Sequence, residues 1–368
     1  MHYVRNNYRY LLLFLTVISV LLVGSCKKDK ISYSVTPYNL EIPSHFPQMA
    51  IPEDNPMTKE GVELGRKLFY EKRLSRDNSI NCASCHRQEN SFSDPNKFSI
   101  GVDDQVGTRQ SMALVNMGWQ QSFFWDGRVK TLEEQIFHPV RDPIEMDLDW
   151  EEAVERLKAD VNYRNDFFRA FKVQDFDSTH VSKAIAQFLR TMNSYQSKYD
   201  VMYKIRNDLP LSSFDKTLEP TITVEEWAGF DLFFSLTGGD CLHCHDGPLA
   251  QVNVFSNNGM DLEFDDLGRY LATGNPNDMG KFKVPTLRNI ELTAPYMHDG
   301  RFETLEEVVL HYSFGVQAES PNLDPMMEFA HQGGVNLDFQ ERELLLAFLK
   351  TFTDWEFINN PDFSNPFE

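Results

Sequence analysis

Two pentapeptides concentrate the reactive side chains of this chain: Cys82-Ala83-Ser84-Cys85-His86 and Cys241-Leu242-His243-Cys244-His245. Each is Cys-x-x-Cys-His, the pattern by which a c-type haem is attached. The two thiols add across the porphyrin vinyl groups, and the histidine that follows places its imidazole on the iron. With 5 cysteines and 10 histidines in 368 residues, chance supplies roughly 0.002 such matches. A redox dithiol or a zinc site would use the same residue types. Zinc needs four gathered ligands, and a thioredoxin-like dithiol sits in a βαβ pattern; the sequence offers neither context. Two covalently bound haem c groups are expected, one on Cys82, Cys85 and His86, the other on Cys241, Cys244 and His245. His243 reads as a solvent-facing spacer inside its motif. His45, His180 and His331 stand in no motif and read as surface or core residues.

The fifth cysteine, Cys26, has a different setting. Arg5 and Arg9 precede an apolar run over residues 11–24, which ends in Val23-Gly24-Ser25-Cys26. The run is too short to span a bilayer unaided and suits the h-region of a signal peptide. Small residues directly before a cysteine resemble a bacterial lipobox, so Cys26 is expected to carry lipid and anchor the chain to a membrane by that lipid alone. Plain signal-peptidase cleavage or a retained anchor are the alternatives. The chain would then be a cell-envelope protein, periplasm-facing or on the outer membrane.

The elements that must position the two motifs repeat. Gly65, Leu68, Phe69 and Tyr70 precede the first motif; Gly229, Leu232, Phe233 and Phe234 precede the second. Residues 60–70 and 225–234 carry apolar side chains at helical spacing. Downstream, Phe124-Trp125-Asp126-Gly127-Arg128 with Thr131-Leu132-Glu133-Glu134 matches Met297-His298-Asp299-Gly300-Arg301 with Thr304-Leu305-Glu306-Glu307 at a constant offset of 173, which Asn116 and Asn289 share, as do His138 and His311. A constant offset through matched residues argues for two copies of one unit. Asp-Gly supplies a turn, and Thr with Glu soon after starts a helix. Strand signals are scarce. The expected fold is mostly α, two cytochrome c-like haem domains related by internal duplication. The divisions are a lipoprotein signal peptide at 1–26, a tether at 27–45, haem domains at 46–206 and 223–368, and a linker at 207–222. The helical stretch 338–355 could close the second domain or return to the first.

Bulk composition limits the partners. The formal charge is −20, with 41% hydrophobic and 24% charged residues, an ordinary globular balance with a strongly acidic surface. Such a surface repels nucleic acid and suits a basic protein partner; it also simply keeps a protein soluble.

From about Pro52 to Leu349 the chain resembles the bacterial di-haem cytochrome c peroxidase family, which includes the MauG-type enzymes. The resemblance rests on the two haem motifs at their separation, on Phe124-Trp125-Asp126-Gly127-Arg128, and on Pro295-Tyr296-Met297-His298-Asp299-Gly300. It implies that the haem on His86 is the peroxidatic one and that the haem on His245 accepts electrons from outside. It implies that Trp125 relays electrons between the haems, with His298 at the matching place of the other copy. Gln135 and Glu145 match the distal-pocket amide and carboxylate. A carboxylate in an apolar pocket can take a proton from one peroxide oxygen and return it to the other. Arg128 and Arg301 would pair with haem propionates or with a nearby acid. Thr293 and Pro295 match backbone calcium ligands, although Gln110 stands where the family has a side-chain Asn. Val102 follows Ser99-Ile100-Gly101 where many members have a histidine that closes the peroxidatic haem. Pro139 and Tyr312 occupy the two equivalent sixth-ligand positions. Tyr312 is fourteen residues beyond His298, where cytochrome c peroxidases carry a methionine and MauG-type members a tyrosine. Tyr312 is thus expected to ligate the second haem, with His311 and Met297 as rivals, and the first haem is expected to stay open.

Three functions follow. The first is reduction of hydrogen peroxide with electrons from a small cytochrome or similar donor. The second is a MauG-like oxidase that uses high-valent haem iron to oxidise a partner protein or small molecule. The third is a non-catalytic di-haem electron carrier, which has no need of Glu145 and Gln135. A homodimer is among the partner expectations.

Overall fold

Each Cys-x-x-Cys-His motif is preceded by a helix whose start is fixed by a capping side chain. The computed structural model describes residues 34–368; the proposed signal peptide, Cys26 and the first part of the tether lie outside the described residues. Six helices frame the site: α1 Lys59–Phe69, α2 Leu132–Gln135, α3 Ser178–Leu189, α4 Val224–Phe233, α5 Leu305–Leu310 and α6 Phe339–Lys350. Thr58 caps α1 by accepting from Gly61 N–H, and Thr223 and Glu226 form a reciprocal capping box at α4, which satisfies donors that a helix start leaves open.

α1 packs on α3, and α4 packs on α6. Both crossings depend on a glycine. A Cβ on Gly65 would lie 2.0 Å from the Ala184 carbonyl oxygen, and a Cβ on Gly229 would lie 2.0 Å from that of Leu344. Phe188 and Phe348 are the next atoms met in the two crossings. Leu64, Leu68, Phe69, Phe167 and Phe188 lie in one buried cluster; Phe230, Phe233, Phe348 and Phe352 lie in another.

Positions matched at the offset of 173 share local geometry. Asn116 and Asn289 both take left-handed backbone, each followed by a 3₁₀ turn. Asn116 Oδ1 accepts from Ser194 N–H at 2.9 Å, and Asn289 Oδ1 accepts from Asp354 N–H at 2.7 Å. Isolated bridges join Phe123 to Val129 and Tyr296 to Phe302. Thr131 caps α2 and Thr304 caps α5, each accepting from a glutamate N–H.

The last helical stretch does both things that its sequence allows. α6 closes the second cluster. The chain then leaves it, and Phe357, Ile358 and Phe363 enter the first. Gln88 Nε2 donates to the carbonyls of Ile358 and Asn360, and Tyr70 Oη donates to that of Phe363. The segment read as tether is fastened from Thr36 onward: its N–H and hydroxyl both donate to Glu60. The segment read as linker contains a short helix, Asp215–Leu218, anchored by a buried Lys204–Asp215 ion pair at 2.8 Å. Residues 35–368 form one compact unit. The only sheet among the described residues is a two-stranded antiparallel pair, β1 Phe255–Ser256 and β2 Phe282–Lys283, with Phe255 opposite Lys283.

Candidate active site

The first haem motif is held at both ends. Asn81 and Ser84 form a capping box that starts the single turn Cys82–Cys85, and Asn81 Nδ2 donates to the Tyr70 carbonyl at the end of α1. His86 Nδ1 lies 2.8 Å from the Phe92 carbonyl oxygen. That bond fixes the ring and its tautomer and leaves Nε2 as the nitrogen for a metal. Burial pushes the thiols up to about 12 for Cys82 and about 11 for Cys85.

These three residues open onto a cavity of about 1070 Å³. Trp125, Gln135, Pro139 and Glu145 line the same cavity. The residues fit a covalently attached haem: paired thiols, an oriented imidazole and a large adjoining space. Gln135 ends α2, and Pro139 lies in the following turn Phe137–Arg141. Glu145 sits in the loop beyond, where burial pushes its carboxyl up to about 7, Asp142 adds repulsion and Arg128 opposes. A carboxyl poised near neutrality is suited to proton transfer in either direction.

Val102 does not reach into the site as a ligand would. It is 1% exposed, and its N–H donates to the Glu145 carbonyl at 2.8 Å. A Cβ on Gly101 would come within 2.2 Å of the Ile144 carbonyl oxygen and 2.5 Å of that of Glu145. The Ser99–Val102 stretch therefore braces the loop that carries Glu145.

Trp125 donates from Nε1 to the Gln110 carbonyl at 2.8 Å. It meets His298, its counterpart at the offset of 173, edge to face at 6.5 Å between centroids. His298 stacks on Phe282 at 3.6 Å. Arg128 and Arg301 have local partners. Arg128 pairs with Asp126 at 2.9 Å, and Arg301 forks onto Asp261 with two bonds of 2.8 Å. Thr293 and Pro295 line the cavity with Gln110, whose Nε2 donates to the Asp94 carbonyl at 2.8 Å. Among the described residues no group of three or more His, Cys, Asp or Glu is placed to hold a metal ion.

The second motif has its own surroundings. Burial pushes the thiols of Cys241 and Cys244 up to about 12 and about 11. Burial lowers His245 to about 4, so its imidazole is neutral at pH 7 and able to bind a metal. Its Nδ1 is buried without a hydrogen-bond partner, and the backbone of Ala250 and Pro285 opposes the lowering of the ring. Tyr312 is half-buried near Cys241 and Cys244, and desolvation pushes its phenol up to about 12, with a hydrogen bond from Asn258 opposing. His243 is not a free spacer: it lies 3.1 Å from Asp240 and its side chain is about a quarter exposed.

Some site residues carried no readable sequence signal. Lys283 is 5% exposed, lines the cavity and bonds to Gln120, with burial lowering its amine to about 7. Asn258 touches Tyr312; only its Asn-Gly pairing with Gly259 hinted at a turn.

Fold and site together define a di-haem c-type oxidoreductase. The chain belongs to the di-haem cytochrome c peroxidase and MauG family. The family model for di-haem cytochrome c peroxidase matches residues 59–208. The cytochrome c551 peroxidase of Nitrosomonas europaea is 33% identical, with 84% of each chain covered. The methylamine utilization protein MauG of Methylorubrum extorquens is 33% identical, over 82% of this chain and 80% of that protein. A MauG-like protein associated with microbial copper homeostasis has a solved structure similar to this one, with a TM-score of 0.78 and 35% identity, over 90% of this chain and all of that one.

Proposed function

We propose that this chain reduces hydrogen peroxide to water at the haem on His86, with electrons arriving one at a time through the haem on His245 from a small cytochrome. Peroxide, two electrons and two protons give two waters. The observation that carries the reading is Glu145, a carboxyl poised at about 7 on the wall of the cavity that His86 shares. The bound haem supplies the iron at which peroxide is cleaved. Glu145 takes a proton from the near oxygen and delivers it to the leaving oxygen, while the Gln135 amide orients the peroxide. Pro139 offers no side-chain donor, and Val102 is spent on the Glu145 loop, so nothing from those positions competes with peroxide. Trp125, in contact with His298, lies on the route for electrons between the haems. Tyr312 is the proposed sixth ligand on the His245 side, supported by its place near Cys241 and Cys244.

Peroxide and a reduced small cytochrome mixed with the di-haem protein are expected to give cytochrome oxidation that scales with enzyme. Absence of turnover with any small basic cytochrome, together with oxidation of a different protein, would replace the donor reading with the MauG-like one. Tyr312 favours that second reading, since MauG-type members carry a tyrosine where peroxidases carry a methionine.

Further parts of the proposal rest on sequence. Lipid on Cys26 would place the protein on the cell envelope, supported by Arg5, Arg9 and the small residues before the cysteine. The two haem domains, 46–206 and 223–368, would be duplicated units, supported by the paired asparagine clamps and glycine crossings. Calcium would bind at the carbonyls of Thr293 and Pro295, supported by their position on the shared cavity wall.

A further inference from the structure

The side chain and carbonyl of Asn258 meet all three groups that could become the sixth ligand of the haem on His245. Its Nδ2 donates to Tyr312 Oη at 3.0 Å and to Met297 Sδ at 3.7 Å. Its backbone carbonyl lies 3.3 Å from His311 Nε2. A carboxamide has two N–H protons, and here one serves the tyrosine and the other the methionine. The carbonyl engages the histidine nitrogen, while Nδ1 of the same ring faces Gly315, where an added Cβ would lie 3.0 Å away.

The position of Asn258 is enforced from both sides. Asn257 is 3% exposed; it donates to Ser320 Oγ and the Pro321 carbonyl and accepts from Gly259 N–H at 2.9 Å. Gly259 has φ of +71°, and a Cβ there would come within 2.8 Å of Val316. Tyr312 is also placed by a distortion: after α5 the chain widens into a π turn over His311–Gly315, a feature that concentrates at functional sites. The Tyr312 carbonyl accepts from Val335 N–H at 3.0 Å. These two pieces of backbone thus set one asparagine against three candidate ligands, two at its side-chain amide and one at its backbone carbonyl.

We propose that Asn258 is the positioning residue that selects Tyr312 as the sixth ligand, donating to its oxygen while it holds Met297 and His311 in other bonds. The proposal rests on the reading of Tyr312 as that ligand. Outer-shell hydrogen bonds of this kind tune both ligand identity and potential.

The test is EPR, near-infrared absorption and redox titration of the oxidised di-haem protein and its variants. Asn258→Leu keeps the size and removes both N–H donors. It is expected to change the low-spin signal, to bring up a methionine–iron charge-transfer band, and to raise the potential of that haem, while the backbone carbonyl of residue 258 keeps its hold on His311. The signal of the haem on His86 should stay as in wild type. Adding Met297→Leu should abolish the methionine band. Asn258→Asp, which also lacks the donors, gives the same reading if the leucine variant fails to load haem. Tyr312→Phe separates the two ideas. An unchanged low-spin signal in Tyr312→Phe overturns the ligand reading. A changed signal there, with wild-type signal and potential in both Asn258 variants, overturns selection by Asn258 alone.

Discussion

Glu145 shows how a single side chain acquires chemistry from its surroundings. The chain contains 55 acidic residues, and nothing local distinguishes this one. Burial by the loop around it, with Asp142 adding repulsion, moves it from 4.5 to about 7. The base form is the carboxylate, so the rate with peroxide should rise as pH increases through about 7 and level off above. Glu145→Gln should keep both haems, react about 10²–10⁴-fold more slowly and show no such limb in stopped-flow measurements. The same shift has a sign for stability. Because the fold raises this pKa, the folded state binds the proton more tightly, and stability is lost as pH rises from about 4.5 to about 7. Above pH 7 the glutamine variant should therefore gain in unfolding temperature relative to wild type, and the gain should vanish near pH 4.

Helices in this protein do their positioning through close backbone approach. Alanine normally stabilises a helix interior over glycine by up to about 1 kcal/mol. At Gly65 and Gly229 the sign reverses, because a methyl group would stand 2.0 Å from the carbonyl oxygens of Ala184 and Leu344. Gly65→Ala and Gly229→Ala should each destabilise by about 1–3 kcal/mol or more from overpacking. Chemical denaturation of the haem-loaded protein checks this, and a variant as stable as wild type would mean that the crossings yield. The two glycines lie one turn before the ends of α1 and α4, so the same crossing that packs each helix pair fixes the point from which the chain runs on to its Cys-x-x-Cys-His.

At the scale of the whole molecule, two electrostatic features stand out. Inside, Asp200 is fully buried and forks onto the equally buried Arg288, with bonds of 2.6 and 2.7 Å, and His45 lies 3.1 Å away. Burial alone would raise the Asp200 carboxyl, but Arg288 and His45 hold it well below the usual range. This cluster joins the 35–45 segment, the helix Lys198–Arg206 and the stretch after β2. Asp200→Ala leaves a buried guanidinium uncompensated and should cost about 3–5 kcal/mol, read as a lowered unfolding temperature. Outside, the charge of −20 should speed encounter with a basic donor. Raising ionic strength from 0.01 to 0.15 M shortens the Debye length from about 30 to about 8 Å. Turnover with a basic cytochrome should fall over that range, while the direct reaction with peroxide, which is uncharged, should not. Equal sensitivity of the two steps would argue against electrostatic docking.

The sequence by itself determined the two Cys-x-x-Cys-His motifs, the mostly helical fold and the helix starts at Thr131 and Thr304. Those features are local: a haem motif needs five consecutive residues, and a cap needs a side chain three residues from the N–H that it accepts. The repeat at 173 was legible for the same reason, since turn and cap chemistry recur in order. Tertiary structure decided what depends on residues far apart in the chain. It brought His86, Trp125, Glu145 and Thr293 onto one cavity, turned Val102 into a brace for the Glu145 loop and sent the chain after α6 back into the first core. It gave Arg301 its partner Asp261, forty residues away, and set Asn258 against Tyr312, fifty-four residues away. Burial and long-range contact create pKa shifts and ligand choices, and neither is written in spacing along one strand of sequence.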